Sequence, residues 1–122
     1  MKKILITRGR TKNGRLYPED VLLTIKDKIN SKDYLGEASA YGVPRDTVNL
    51  SEVVLKVQNA EVNEDGLVAE IKMLKDLNFP DEFEVCARGS GIVDKDGVVT
   101  EYTPIAFDMC LKDTINETSK IK

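Results

Sequence analysis

Four side chains stand out as possible nucleophiles, and the chain offers none of them a histidine for activation. Cys86, Ser90, Ser39 and Ser51 carry the relevant thiol and hydroxyl groups, whereas none of the 122 residues is histidine. A thiol or hydroxyl attacks efficiently only when a neighbouring base takes its proton or its pKa is lowered. Lysine can serve as that base only when it is desolvated beside the nucleophile, which a sequence does not reveal. Cys86 stands between two apolar residues, a context that favours a small buried side chain over a reactive thiol.

The sequence contains no complete motif for binding a metal ion or a phosphate group. The segment Asp94-Lys95-Asp96-Gly97 resembles the start of a calcium loop, but the bidentate glutamate is missing downstream, so a β-turn is the better interpretation. Two cysteines without a C-x-x-C spacing and without histidine do not make a structural zinc site. Gly89-Ser90-Gly91 is too short for a phosphate-binding loop. We therefore predict no metal and no cofactor.

The cysteines and the N-terminus indicate the compartment. The apolar run in MKKILITRGR is too short for a secretory signal, and arginines follow it at once. Two cysteines in such a chain are more often reduced, which predicts a cytoplasmic protein. Cys86 and Cys110 are 24 residues apart, so they can lie on neighbouring strands or both point into the core.

Charge and hydropathy exclude two classes of partner. The net charge is -3, which makes nucleic acid an unlikely partner, and the chain has no run of apolar residues long enough to span a membrane. A local basic cluster is present at Arg8, Arg10, Lys12 and Arg15. Charge runs are usually solvated turns, and we interpret this one so, with a binding loop as the alternative.

The elements that position these residues are mainly β-strands. Alternating or continuous apolar residues predict strands, and one stripe at helical spacing predicts an amphipathic helix. The predicted strands cover residues 2–7, 53–58, 67–73, 83–93, 98–102 and 105–111, and the predicted helix covers about 18–30. Turn signals at 63–66 and 94–97 predict hairpins. We expect a single domain over residues 1–122, mainly β with one or two helices, forming a small antiparallel barrel or sandwich with a frayed tail at 113–122.

Three segments carry a resemblance to one family. Residues 13–22 (NGRLYPEDVL), residues 36–41 (GEASAY) with 48–51 (VNLS), and residues 86–91 (CARGSG) follow one another in this order. They resemble the N-x-R-x-Y-P helix entry, the G-E-L-x-H-P segment with its following strand, and the S-S-R-G-x-G nucleophile strand of the prohead maturation proteases of tailed bacteriophages. Residues 105–109 (IAFDM) resemble the closing F-D-x-V strand of that family. The resemblance covers about residues 10–112.

The resemblance implies a small β-barrel like that of herpesvirus assemblin and a serine-peptidase site. It places the nucleophile on Cys86, the histidine on Ala40 and an acidic position on Asp108, and it matches Arg88 and Gly89 to the segment that shapes the oxyanion hole. Cysteine can replace serine as a nucleophile, but alanine neither takes nor gives a proton. Loss of a triad's base costs several powers of ten in rate. The resemblance thus implies a protease scaffold with a dismantled site.

Three functional hypotheses follow. The first is a catalytically impaired prohead-protease-like phage protein that acts as a capsid-associated structural, scaffold-like or decorating subunit in head assembly. Its partner would be a phage capsid or scaffold protein, with homo-oligomers allowed, and it would be found in the host cytoplasm during infection or in the virion head. The second is an active prohead maturation protease that uses Cys86 with a base other than histidine. The third is a phage-encoded binding module unrelated to the head.

Overall fold

Across the residues that the structure describes, the protein is mainly β with one α-helix and one short 3₁₀-helix, Leu50–Glu52, which agrees with the predicted mainly β chain with one or two helices. The computed structural model describes residues 1–11, 14–37, 50–75 and 83–111. Its strands are β1 (Lys2–Thr7), β2 (Tyr34–Glu37), β3 (Val53–Asn63), β4 (Gly66–Met73), β5 (Phe83–Val93) and β6 (Val99–Leu111), and the helix is α1 (Glu19–Ser31). Within these ranges, two expectations needed correction. The strands predicted at 98–102 and 105–111 are one long strand, and β2 lies where no strand was predicted.

Four of the strands form an antiparallel sheet that curls into a half-barrel. The strand order is β1-β4-β3-β2, and the predicted hairpin turn at Asn63 to Gly66 joins β3 to β4. Strands β5 and β6 form a separate hairpin whose turn contains Gly97 with φ 82°, a backbone conformation that favours glycine. The antiparallel pairing predicted from the turn signals is therefore correct.

Helix α1 supplies the apolar stripe that fills the half-barrel. Pro18 precedes the first turn, and Glu19 and Asp20 lie near the positive end of the helix dipole. The side chains of the predicted stripe are all buried, namely Val21, Leu22, Ile25 and Ile29. They join one core with inward residues of both sheets, among them Leu5, Leu55, Val57, Leu67, Val85 and Phe107.

The helix is also tied to β3 through one amide side chain. Asn30 donates from Nδ2 to the carbonyl oxygen of Ala60 at 2.9 Å and accepts from the amide of Ala60 at 2.8 Å. Ala60 stands where the β3–β4 register shifts, next to Asn59 with φ 52°. A bulge of this kind leaves backbone groups outside the ladder. The Asn30 side chain therefore completes the hydrogen bonding at this bulge.

The β5–β6 hairpin packs against both edges of the curled sheet. Strand β5 lies beside β1, and β6 lies beside β2. On the β1 side, Lys3 is in register with the core residue Ala69, so its side chain starts on the inner face. Its Nζ donates to the carbonyl oxygen of Phe83 at 2.8 Å and lies 4.4 Å from the centre of that ring. Lys3 therefore joins the first strand to the hairpin through a charged hydrogen bond and a cation–π contact.

In the described part of the chain, no helix is both long and apolar enough to cross a membrane. The tail at 113–122 lies outside the described residues, so its fraying stays a prediction.

Candidate functional site

The β5–β6 ladder brings three of the family-matched positions together. Cys86 is in register with Asp108, and Arg88 follows Cys86 by two residues, so all three side chains lie on the same face of the hairpin. The opposite face carries Val85 and Met109, which belong to the main core. The face with Cys86, Arg88 and Asp108 is therefore the candidate site.

At this site the two cysteines form a disulfide. Cys110 is in register with Glu84, so it lies diagonally across the ladder from Cys86 on the same face, with a Cα–Cα distance of 6.4 Å. The expectation of two reduced cysteines is thus wrong, because the strands hold both residues within disulfide reach. The interpretation of Cys86 as a buried side chain is correct, since it is fully buried. A sulfur bonded in this way is not a nucleophilic thiolate.

A buried ionic cluster adjoins the disulfide. The Nε of Arg88 donates to Asp108 Oδ2 at 2.7 Å, and its Nη2 donates to Glu37 Oε2 at 2.6 Å and to Asp108 Oδ1 at 3.3 Å. The backbone amide of Glu37 donates to the same Oδ1 at 2.9 Å. Arg88 thereby connects β5 to its ladder partner β6 and also to β2, which belongs to the other sheet. We call Arg88, Glu37 and Asp108 the arginine cluster.

Burial gives the arginine cluster a large structural role. The side chains of Glu37 and Asp108 are 0% and 1% exposed, and that of Arg88 is 10% exposed. The pKa of Arg88 is raised above its ordinary value, chiefly by the hydrogen bond to Asp108, with burial acting in the opposite direction. The guanidinium therefore stays charged at every pH at which the protein can be handled. Removing one partner of a buried ion pair leaves a charge without compensation, which is strongly destabilising.

The hydrogen bonds of Asp108 give it a structural role. Its carboxylate accepts hydrogen bonds from Arg88 and from the Glu37 amide. An acidic residue in a catalytic triad instead orients an imidazole, and the chain contains none. Glu37 was the residue that sequence reasoning missed at this site. Its place in the G-E pair of the second family-like segment was the available signal.

Two glycines of the third family-like segment have a packing reason to be glycine. Gly91 is in register with Tyr102, and Gly89 lies two residues before it. A Cβ at Gly89 would overlap the carbonyl oxygen of Thr103, and a Cβ at Gly91 would be 2.8 Å from the carbonyl oxygen of Glu101 and 3.1 Å from Tyr102 Cδ2. The backbone of β6, together with the Tyr102 ring, therefore occupies the space that side chains at these two positions would need. The suggested oxyanion role of Arg88 and Gly89 stays a prediction.

The remaining nucleophile candidates are not gathered at this site in the described residues. Ser90 is exposed on β5, beyond the register shift that follows Arg88. Ala40 and Ser39 lie outside the described residues, and so does the side chain of Ser51. The matched histidine position therefore stays a prediction. In the parts of the chain that the structure describes, no group of three or more possible metal ligands is found.

Two arginines of the basic cluster bind the backbone at hairpin turns. Arg8 donates from Nη2 to the carbonyl oxygen of Asn63 at 2.7 Å and forms an ion pair with Glu19. Arg10 donates from Nη1 to the carbonyl oxygens of Gly14 and Asp96, both at 2.9 Å. Both guanidinium groups thus hold hairpin turns, one at β3–β4 and the other at β5–β6. Lys12 lies outside the described residues.

Comparison with known proteins supplies no relative for this arrangement. No protein-family model, no characterised protein and no solved structure matches the chain.

Proposed function

We propose that the chain is a prohead-protease-like phage protein that no longer cuts and serves as a capsid-associated structural, scaffold-like or decorating subunit of the head. One observation carries the loss of catalysis. The matched nucleophile position, Cys86, is bonded to Cys110, and the matched acidic position, Asp108, is held by Arg88. Alanine occupies the matched histidine position, so all three matched catalytic positions lack the chemistry that proteolysis requires.

The same groups that fail as catalysts are well suited to stabilise a subunit. A protease site keeps its nucleophile accessible and its base free to exchange a proton. Here the corresponding face of the hairpin is buried and occupied by a disulfide and the arginine cluster. Such fixed bonds stabilise a folded subunit, and at these positions they leave no free nucleophile. The contrast supports binding over turnover.

The fold is compatible with the family suggested by the sequence. A curled antiparallel sheet, a covering hairpin and one long helix together provide the elements that a small barrel of that type needs. The site on a fold can be lost while its binding surface is kept, because fold and activity are separable. The identity of the family and the role in the head rest on the resemblance of residues 13–22, 36–41 with 48–51, 86–91 and 105–109.

The role in the head is tested by counting the protein in particles. Quantitative mass spectrometry of immature proheads and mature virions from one infection should find it in both, at a fixed ratio to the capsid protein. Absence from both particles would overturn the head assignment. Presence in proheads followed by trimming or loss on maturation would overturn the structural subunit and favour the protease or a consumed scaffold.

The loss of catalysis is tested separately on the purified chain. The protein, with its disulfide intact or reduced, is incubated with capsid and scaffold proteins from the same phage. Neither form should cleave them, and the Cys86→Ala variant should behave identically. If the reduced protein cleaves them and the Cys86→Ala variant does not, this part of the proposal is wrong and the chain is an active cysteine protease.

A further inference from the structure

The disulfide lies where the register of the β5–β6 hairpin is least constrained by its turn. The turn at Asp94 to Gly97 is at one end of the hairpin, and the register shifts at Ile92/Val93 and again at Arg88/Gly89. Each shift introduces a residue that the ladder does not pair, so a turn fixes the register poorly beyond such points. Cys86 and Cys110 lie past both shifts, at the open end of the hairpin.

The position of the cysteines makes their bond incompatible with a one-residue slip of the ladder. In the observed register Cys86 faces Asp108 and Cys110 faces Glu84, so both cysteines lie on the same face. Moving one strand by a single residue would put Cys110 on the opposite face, because side chains alternate along a strand. The same slip would remove Asp108 from Arg88. A one-residue slip would thus break both the disulfide and the arginine cluster.

We infer that the Cys86–Cys110 disulfide is a redox-dependent register lock, which holds Asp108 where Arg88 can bridge it to Glu37. Closing the bond removes two electrons and two protons from the thiols, and a small-molecule disulfide such as oxidised glutathione takes them and leaves as two thiols. The tie between the two sheets is therefore complete in the oxidised chain and loosened in the reduced chain. The lock is therefore open in a reducing environment and closed in an oxidising one.

The inference is independent of the role in the head. It concerns the chain's own stability, so it stands or fails without reference to any particle. It also differs from the ordinary effect of a cross-link. A disulfide stabilises mainly by restricting the unfolded chain, and a loop of this length changes the folding equilibrium by roughly 100-fold or more. A register lock in addition changes the native state close to Glu37.

Amide hydrogen exchange distinguishes the two effects. The Glu37 amide donates to Asp108 at 2.9 Å and reports the tie directly, whereas the Ile71 amide of β4 donates to the carbonyl oxygen of Met1 at 2.7 Å, away from the hairpin. In the same protein with the disulfide reduced, Glu37 should exchange at least about tenfold faster, and its acceleration should exceed that of Ile71. Equal acceleration of both amides, or none, would overturn the lock.

Two further measurements complete the test. After treatment of the native chain with oxidised glutathione and then alkylation, neither cysteine should be modified, and two modified cysteines would overturn the inference. The Cys86→Ala/Cys110→Ala variant should exchange Glu37 at the rate of the reduced protein, with or without reductant. A variant in which Glu37 is as protected as in the oxidised chain would also contradict the lock.

Discussion

Gly36 and Phe107 are in backbone contact across the junction of the two sheets. A Cβ placed on Gly36 would overlap the carbonyl oxygen of Phe107, and it would stand 2.9 Å from the carbonyl carbon and 2.6 Å from Leu55 Cδ1. The next residues along both strands are Glu37 and Asp108, which the arginine cluster joins. The close approach of β2 to β6 is therefore a condition for the cluster to form.

The contact predicts that Gly36→Ala is strongly destabilising. The new methyl group meets backbone, which cannot rotate away, so we expect a loss of at least about 3 kcal/mol in the free energy of unfolding. Denaturant unfolding at neutral pH measures it. Gly9→Ala is the matched control, because Gly9 has open space around it and only a positive φ of 85° to oppose alanine. The control should cost about 1–2 kcal/mol, and an equal cost in both variants would contradict the contact.

The arginine cluster predicts a large loss of stability for Arg88→Met. At neutral pH the variant leaves Glu37 and Asp108 buried without the guanidinium that binds both, which should lower the free energy of unfolding by about 3–5 kcal/mol. Denaturant unfolding of the wild-type chain and of the variant at neutral pH measures the difference.

The control for this prediction is an arginine held outside the core. Arg8 also binds a carboxylate and a backbone oxygen, but its ion pair with Glu19 is substantially exposed. Arg8→Met should therefore lower the free energy of unfolding by only about 1 kcal/mol. A cost for Arg88→Met no larger than that for Arg8→Met would mean that the cluster does not hold the sheets together.

Tyr34 predicts a loss of stability in alkaline solution. Burial raises the pKa of its phenol above the ordinary value of 10.0, so the folded chain keeps the phenol neutral after the unfolded chain has begun to ionise. The stabilisation is complete below pH 10 and is lost as the pH rises towards the folded-state pKa. Tyr34→Phe should match the wild type within about 1 kcal/mol at neutral pH and lose less stability above pH 10. Parallel alkaline curves for the two proteins would contradict this account.

The hydrogen bonds of Asn30 predict that its loss destabilises the bulge of β3. Asn30→Ala leaves the amide and the carbonyl of Ala60 without the partners that bind them at 2.8 and 2.9 Å, which should cost about 2 kcal/mol. Asn59→Gly is a useful comparison, because glycine accepts the φ of 52° at that position. It should change the free energy of unfolding by less than about 1 kcal/mol. Thermal or denaturant unfolding measures both variants. A larger loss of stability for Asn59→Gly than for Asn30→Ala would contradict this account.

The parts of the fold that were predicted correctly are those marked by a local pattern in the sequence. The stripe of α1 and the turn signals at 63–66 and 94–97 each report on a few neighbouring residues, and the structure contains the elements that they predict. Strand β2 was missed because it is short, Tyr34–Glu37, and contains a glycine. That glycine is required by a close contact with Phe107, which lies far along the chain. A local pattern cannot report such a contact.

The candidate site was predicted only in part, for a similar reason. The family-like segments pointed to Cys86, Arg88 and Asp108, which the hairpin brings to one face. The disulfide depends on which residues of β5 and β6 face each other, and two register shifts separate that position from the turn. Because each shift changes the pairing by a residue, counting from the turn does not give the partner of Cys86.

The shared guanidinium of Arg88 also has a consequence for how this sequence can diverge. One cation serves carboxylates on two other strands, so Arg88 cannot be lost alone without leaving two buried carboxylates without the cation that binds them. The three positions should therefore covary, and an apolar residue at position 88 should be accompanied by uncharged residues at 37 and 108. That linked triplet is a signature by which descendants of this chain can be recognised after their other motifs have drifted.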